Sequence, residues 1–273
     1  MTDIRPTAVA GAFYPGEAHM LATEVTTLLG EVTCPETAQR PPKAIIAPHA
    51  GYIYSGPIAA SIYARLAPLR GRIQRVVLIG PAHRVWIRGI ALPGVAAFSS
   101  PLGDVEIDAD AVAAIASLPQ VSVRRDAHAQ EHSLEVQLPF LQSVLGRFRL
   151  VPLVVGDATP AEVAEVLDAL WGGEETLVVV SSDLSHFLDY RSARAIDAET
   201  ARSIMALEPV LNHDQACGAT PINGLLKLAR RRGLQVEQVD LRNSGDTAGD
   251  RSRVVGYGAF AFRQSDEREA GHA

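Results

Sequence analysis

Side chains able to hold a metal ion or move a proton recur in this sequence directly after short apolar runs. Residues 44–47 lead to Pro48 and His49, and residues 76–80 lead to Pro81, Ala82 and His83. Residues 177–180 lead to Ser181, Ser182, Asp183 and His186, and residues 236–241 lead to Asn243, Gly245 and Asp246. A neutral imidazole offers one ring nitrogen to a cation while a hydrogen bond fixes the other, and a carboxylate adds charge that lowers the cost of holding a dication. His49, His83 and Asp246 together make a two-histidine, one-carboxylate set. Such a set occupies one face of an octahedron and leaves the other face to water, substrate or dioxygen. Asp246 sits among Gly245, Ala248 and Gly249, where small residues permit close backbone approach; Asp250 is its neighbouring rival.

Each of these residues has a plainer reading. A histidine near a strand end also serves as a hydrogen-bonded structural residue, and Asp246 can close an Asx turn. Ser182 or Asp183 can cap a helix with His186 turned to solvent. His132, next to Glu131, can cap or salt-bridge a helix end. His19, His128, His213 and His272 lack a comparable setting and read as surface residues. Cys217, between Ala216 and Gly218 with no base beside it, reads as a structural thiol. There is no G-x-S-x-G elbow, phosphate-binding glycine loop, dinucleotide fingerprint or H-E-x-x-H helix, so nucleotide and serine-hydrolase chemistry lose support.

What positions the candidates is a set of alternating strands and helices. The runs 44–47, 76–79, 150–155 and 177–180 are rich in Val, Ile and Leu without polar alternation, as strands covered on both faces should be. Residues 236–241 and the Gly-containing run 254–262 add weaker strands. Thr159, Pro160 and Glu162 form a capping box with proline at the first helical position, opening a helix to about Trp171. Thr220 and Pro221 open another helix, which Arg230, Arg231 and Arg232 end and Gly233 closes. Leu134, Leu138, Leu141 and Leu145 make one buried helical stripe, weakened by Pro139. The expected fold is α/β, a single domain with a central, mostly parallel sheet flanked by helices. In such a sheet the carboxyl ends of the strands share one edge, so residues just beyond them converge.

Hydrophobic residues are 47% and charged residues 21% of the 273, the balance of a chain that folds around a core. Residues 1–264 are expected to form the domain, with Cys34 to Pro42 as a loop and 265–273 as a disordered tail. A net charge of −6 gives no reason to expect nucleic acid, since neutralising phosphates needs clustered cations. The three arginines at 230–232 suit a helix C-terminus. Two cysteines, Cys34 and Cys217, fit neither a disulfide framework nor a thiolate zinc site. No run approaches about 20 apolar residues and the N-terminus lacks a signal pattern, so a cytoplasmic protein without membrane contact is expected.

Six ordered blocks resemble the Memo family across nearly the whole chain. They are Arg5-Pro-Thr-Ala-Val-Ala-Gly-Ala-Phe-Tyr-Pro15, Ala47-Pro-His-Ala-Gly-Tyr-Ile-Tyr-Ser-Gly56, Gly80-Pro-Ala-His83, Glu131-His-Ser-Leu-Glu-Val-Gln-Leu-Pro139, Ser181-Ser-Asp-Leu-Ser-His186 and Cys217-Gly-Ala-Thr-Pro221. Microbial members are called AmmeMemoRadiSam system protein B, which implies a functional link to AMMECR1-like and radical SAM proteins. The family resembles class III extradiol ring-cleaving dioxygenases in fold, and those enzymes hold iron(II) with two histidines and a glutamate. On this resemblance His49 and His83 match the histidine ligands, and Asp246 falls where the third ligand is expected. His186 and His132 match further pocket histidines and are assigned with Asp183 to catalysis. The sequence departs by placing aspartate where dioxygenases have glutamate and animal relatives have cysteine.

The implied cofactor is a divalent metal, iron(II) first, with zinc, manganese or copper on the same ligands. Three functions follow: an oxidoreductase or dioxygenase acting on a hydroxylated aromatic or similar small molecule, a non-catalytic protein binding metal, peptide or partner, and a zinc hydrolase.

Overall fold

The computed structural model describes residues 3–33 and 41–264; Cys34, His272 and the expected tail lie outside them. In chain order the strands are β1 (Ile4–Arg5), β2 (Ala44–Ala47), β3 (Arg75–Pro81), β4 (Ile90–Leu92), β5 (Ala97–Phe98), β6 (Val105–Glu106), β7 (Val121–Val123), β8 (Arg149–Val155), β9 (Thr176–Ser181), β10 (His186–Leu188), β11 (Leu234–Asn243) and β12 (Val254–Gln264). The four strongest apolar runs form the centre of a nine-stranded sheet, in the order β2-β9-β3-β8, all parallel. Around them the sheet is mixed. β12 runs antiparallel to β2 and to both β10 and β11, and β4 runs antiparallel to β8.

Alternate residues of each central strand face two separate cores, because successive side chains of a strand point to opposite faces. Ile45, Val76, Leu78 and Val179 enter one core with the helices Ala18–Gly30, Tyr52–Tyr63 and Leu138–Leu145. Ile46, Val77, Ile79 and Val178 enter the other with Pro160–Ala169, Tyr190–Met205 and Ala219–Arg232. Both faces being covered explains why these strands show no polar alternation. The capping box at Thr159 is present, with Glu162 reciprocating, although the helix stops at Ala169. The helix expected from Thr220 starts at Ala219 with Gly218 before it, and Gly233 closes it in the left-handed conformation at φ 65°. Pro139 stands in the first turn of its helix and so opens it, and all four stripe leucines are buried. Among the described residues no helix is long and apolar enough to cross a membrane.

Two tertiary features bear on the site. Glu135 is fully buried and its carboxylate accepts from Arg5 Nη1 at 2.7 Å, Ala8 N at 2.7 Å, Val9 N at 2.9 Å and Tyr14 Oη at 2.6 Å. Arg5 also donates to the carbonyls of His128 and Glu131, tying the N-terminal segment to the turn that carries His132. Residues 82–89 are laced to the end of β8 by Ala82 N to Val155 O, Asp157 N to Ile87 O, Gly89 N to Asp157 O and Gly156 N to Gly89 O, at 2.8–3.0 Å. The fit is so close that a Cβ on Gly156 would stand 2.2 Å from the Ile87 carbonyl oxygen.

His128 is not a surface residue. It is buried and its Nε2 donates to Ala91 O at 2.9 Å, while Nδ1 has no partner. Burial, reinforced by the Arg5 charge, holds its pKa down at about 4. The unfolded chain takes a proton on this ring near pH 6.5, so between pH 6.5 and 4 the unfolded state binds more protons and stability falls as pH falls. The slope is about 1.4 kcal/mol per pH unit for this group alone. His128→Gln should narrow the gap between melting temperatures at pH 7 and pH 5; an unchanged gap would show that His128 is not the titrating group.

Candidate metal centre

The carboxyl ends of β2 and β3 deliver His49 and His83 to one place, as parallel geometry requires. The third ring comes from elsewhere: His132 lies in the turn between the short helix Arg125–Ala129 and the Leu138–Leu145 helix. One potential ligand nitrogen of each of the three histidines lies within 4.8 Å of the others. Ring centroids are 5.1 Å apart for His49 and His83, 5.5 Å for His49 and His132, and 4.6 Å for His83 and His132.

Hydrogen bonding fixes which nitrogens are free. Gln137 Nε2 donates to Pro48 O at 2.9 Å and to Ser181 Oγ at 2.8 Å, while Tyr63 Oη donates to Gln137 Oε1. Ser181 Oγ spends its only proton on Ser133 O at 2.5 Å. Towards His49 Nδ1, 2.9 Å away, Ser181 must therefore accept, so His49 carries its proton on Nδ1 and exposes the lone pair of Nε2. On His83, Nδ1 faces Glu131 Oε1 at 2.9 Å, and the same carboxylate accepts from the His83 backbone N–H at 2.6 Å. This too leaves Nε2 as the ligand atom, in the carboxylate–histidine arrangement that supports metal ligands. Burial alone would raise the Glu131 pKa, but its bonds and charge contacts with His83 hold it at about 2.

Burial disfavours the charged form of two of the rings. Burial, then repulsion from His83, His132 and His186, pushes His49 well below its ordinary pKa. Burial holds His132 at about 4, and its Nδ1 is a buried atom without a hydrogen bond. Three clustered imidazoles, with Nδ1 of His49 and of His83 held by Ser181 and Glu131, fit a divalent transition ion.

Asp246 is not with them. Its Oδ1 accepts from Tyr190 Oη at 2.6 Å and its Oδ2 from Asn243 N at 3.1 Å, closing a turn after β11. β11 ends on the same edge as β2 with β12 between them, and Asp246 is not among the clustered ligand residues. The structure thus brings together His49, His83 and His132, and places Asp246 in its own hydrogen-bonded turn.

Asp183 does not cap a helix; the helix after it starts at Tyr190, capped by Asp189. It is buried, accepts from His49 N at 2.7 Å through Oδ1, and burial pushes its pKa upward. His186 opens β10, next to Phe187, whose backbone is left-handed at φ 61°. It lines a cleft of about 1010 Å³ together with His83, Trp86, His213 and Cys217.

Cys217 was legible only as part of a family block. Its Sγ lies 3.3 Å from His49 Nε2; with the His49 proton on Nδ1 the thiol donates, and an ion on Nε2 would displace that bond. Burial pushes the thiol pKa up to about 12. Glu131 and Gln137 are contributors that strand-end logic passed over, since with the strand-end Ser181 they act by orienting ligands.

The orientation argument is directly testable. Long-range ¹H–¹⁵N spectra should show His49 as the Nδ1–H tautomer, and Ser181→Ala should shift that signal and weaken metal affinity about 10–100-fold, the usual effect of losing an orienting partner. An Nε2–H tautomer in the wild type would refute the assignment.

An α/β sheet that brings two strand-end histidines together with a third from a turn defines the class: a candidate mononuclear metal protein. The family profile described as Memo-like protein matches residues 5–261. The chain belongs to the Memo family. It is 36% identical to a MEMO1 family protein of Ignicoccus hospitalis over 291 aligned positions, covering 95% of this chain and 98% of that one. It is likewise 36% identical to a MEMO1 family protein of Aquifex aeolicus, covering 95% and 99%. An uncharacterized protein of Escherichia coli K12 shares the fold, with TM-score 0.50 and 16% identity over 78% of this chain and 98% of that one.

Proposed function

We propose that this chain holds a divalent ion on His49, His83 and His132 and uses it to act on a small hydroxylated aromatic molecule together with dioxygen. The observation that carries the reading is the gathering of His49, His83 and His132, with Nδ1 of His49 held by Ser181 and Nδ1 of His83 held by Glu131, which leaves Nε2 of both rings for a ligand. Iron(II) is the first choice by family resemblance, and imidazole ligands also suit zinc and copper. When bound, the ion supplies Lewis acidity and a site where dioxygen and substrate meet. His186, on the cleft wall, takes the substrate hydroxyl proton as general base. Asp183 holds the His49 backbone in place.

A second reading has its own support. Three imidazoles without a carboxylate are also the donor set of catalytic zinc, which makes a hydrolase the competitor to the oxidoreductase. Anaerobic purification with metal analysis, followed by a catechol panel with and without oxygen, separates the two. Oxygen uptake supports the oxidoreductase, and oxygen-independent hydrolysis supports the zinc enzyme. Tight metal with neither activity leaves a metal-binding protein.

A further inference from the structure

A second cavity, of about 540 Å³, lies at the amino ends of the central strands and is lined in part by Lys43, Arg72, Ile73, Trp171, Thr176 and Arg232. Lys43 stands immediately before β2 and Thr176 opens β9, whereas His49 follows the other end of β2. Metal binding therefore makes no use of this place. Lysine occurs only twice in the chain, at Lys43 and Lys227, among 25 cationic residues, and Lys227 is exposed on the Ala219–Arg232 helix. Lysine can shed its proton and act as a nucleophile; the guanidinium of arginine cannot.

The amine of Lys43 is held in a way that suits its neutral form. Its backbone is pinned on both sides, its N–H donating to Phe262 O at 2.8 Å and its carbonyl accepting from Val178 N at 3.1 Å. Nζ donates to Gly173 O at 2.5 Å and to Thr176 O at 2.6 Å, with the Trp171 ring centroid 5.4 Å away and no third acceptor among the described residues. An ammonium has three protons to place, while a neutral amine has two protons and a lone pair. Two carbonyls use both protons of the amine and leave its lone pair free. Burial brings the pKa down to about 8; Glu175 opposes the shift, and the Arg232 and Arg75 charges add to it.

The cavity also selects by charge. With Lys43 neutral, its lining carries Arg72 and Arg232 against Glu174 alone. Glu174 meets Arg72 at 3.1 Å, but its side chain is 91% exposed, where pairing is worth little. Arg232 reaches Asp168 through Nη2 and lies over the Trp171 ring at 4.9 Å, while its Nε is a buried atom without a hydrogen-bond partner among the described residues. A buried donor left without an acceptor is costly, and a phosphate oxygen would supply one.

We propose that Lys43 is an acylation site, its amine taking the acyl group of a small acyl phosphate whose phosphate is held by Arg72 and Arg232. The Nζ lone pair bonds to the acyl carbon, the bond from that carbon to the phosphate oxygen breaks with its electron pair on the phosphate, and an Nζ proton passes to the departing phosphate. The products are an amide on Lys43 and inorganic phosphate. The reaction is independent of the metal centre.

Lys227 serves as the internal standard. In native protein incubated with acetyl phosphate near neutral pH and mapped by peptide mass spectrometry, Lys43 should be acetylated at least about tenfold faster than Lys227. An amine held at about 8 has a neutral fraction roughly a hundredfold larger than that of an ordinary lysine, and burial takes back part of that advantage. In concentrated urea the two rates should converge. Arg232→Gln and Arg72→Gln should each slow labelling of Lys43 by acetyl phosphate about tenfold more than labelling by the uncharged donor N-acetoxysuccinimide, the loss expected of one charge-assisted hydrogen bond. Acetylation of Lys43 no faster than Lys227 in the native protein, a preference that survives urea, or equal losses with both donors in both arginine variants overturns the proposal.

Discussion

His83→Ala and His132→Ala should each lower divalent-metal affinity by more than about 100-fold while leaving the fold in place, and Asp246→Asn should leave metal content unchanged. The first expectation follows because the loss of a ligand exceeds the roughly 10–100-fold effect of losing an orienting partner. His83 is on a surface turn with its side chain 27% exposed, so truncation leaves no large cavity. The second follows because both Asp246 oxygens are already used by Tyr190 and Asn243; substitution there weakens a turn by about 1 kcal/mol without touching the cluster. Chelator competition gives the affinities and circular dichroism melts report the fold. Retained metal in His132→Ala together with lost metal in Asp246→Asn would reverse the choice of third ligand.

Glu135→Ala should be the most destabilising single change outside the hydrophobic cores. Four donors, one of them a buried guanidinium, converge on this carboxylate. Removing it strands the Arg5 charge and three further polar hydrogens in a dry interior, and breaking a buried ion pair costs about 3–5 kcal/mol. For a chain of this size that is a fall of roughly 10 °C in melting temperature. Arg5→Met should cost a comparable amount, and Arg5→Met with Glu135→Leu should cost clearly less than the sum, because the double variant leaves no unpaired charge. Additive losses in the thermal melts would mean that the two residues act independently.

The same network shows what was and was not readable from the chain. Central strands announced themselves because a strand buried on both faces has no polar side, as at residues 76–79 and 177–180. Caps announced themselves because Thr159, Glu162 and Gly233 each satisfy a local backbone requirement. His49 and His83 followed from strand ends, and the parallel core made their convergence a geometric necessity. Strand direction at the margins is not a local property, so the antiparallel β12 could not be inferred, nor the turn in which Tyr190 and Asn243 hold Asp246. His132 escaped the ligand assignment because it sits on a turn held by Arg5 and Glu135, more than a hundred residues from one of the partners that places it. Cys217 escaped because its base, His49, is 168 residues away in sequence.

The lacing of residues 82–89 onto the end of β8 has a kinetic corollary. A wall stitched by four backbone bonds and backed by a glycine that admits no side chain behaves as one fixed jaw. Entry of a ligand is then a rigid-body encounter. Compounds of one charge type should associate at similar rates, and their ranking should be written almost wholly in how slowly they leave.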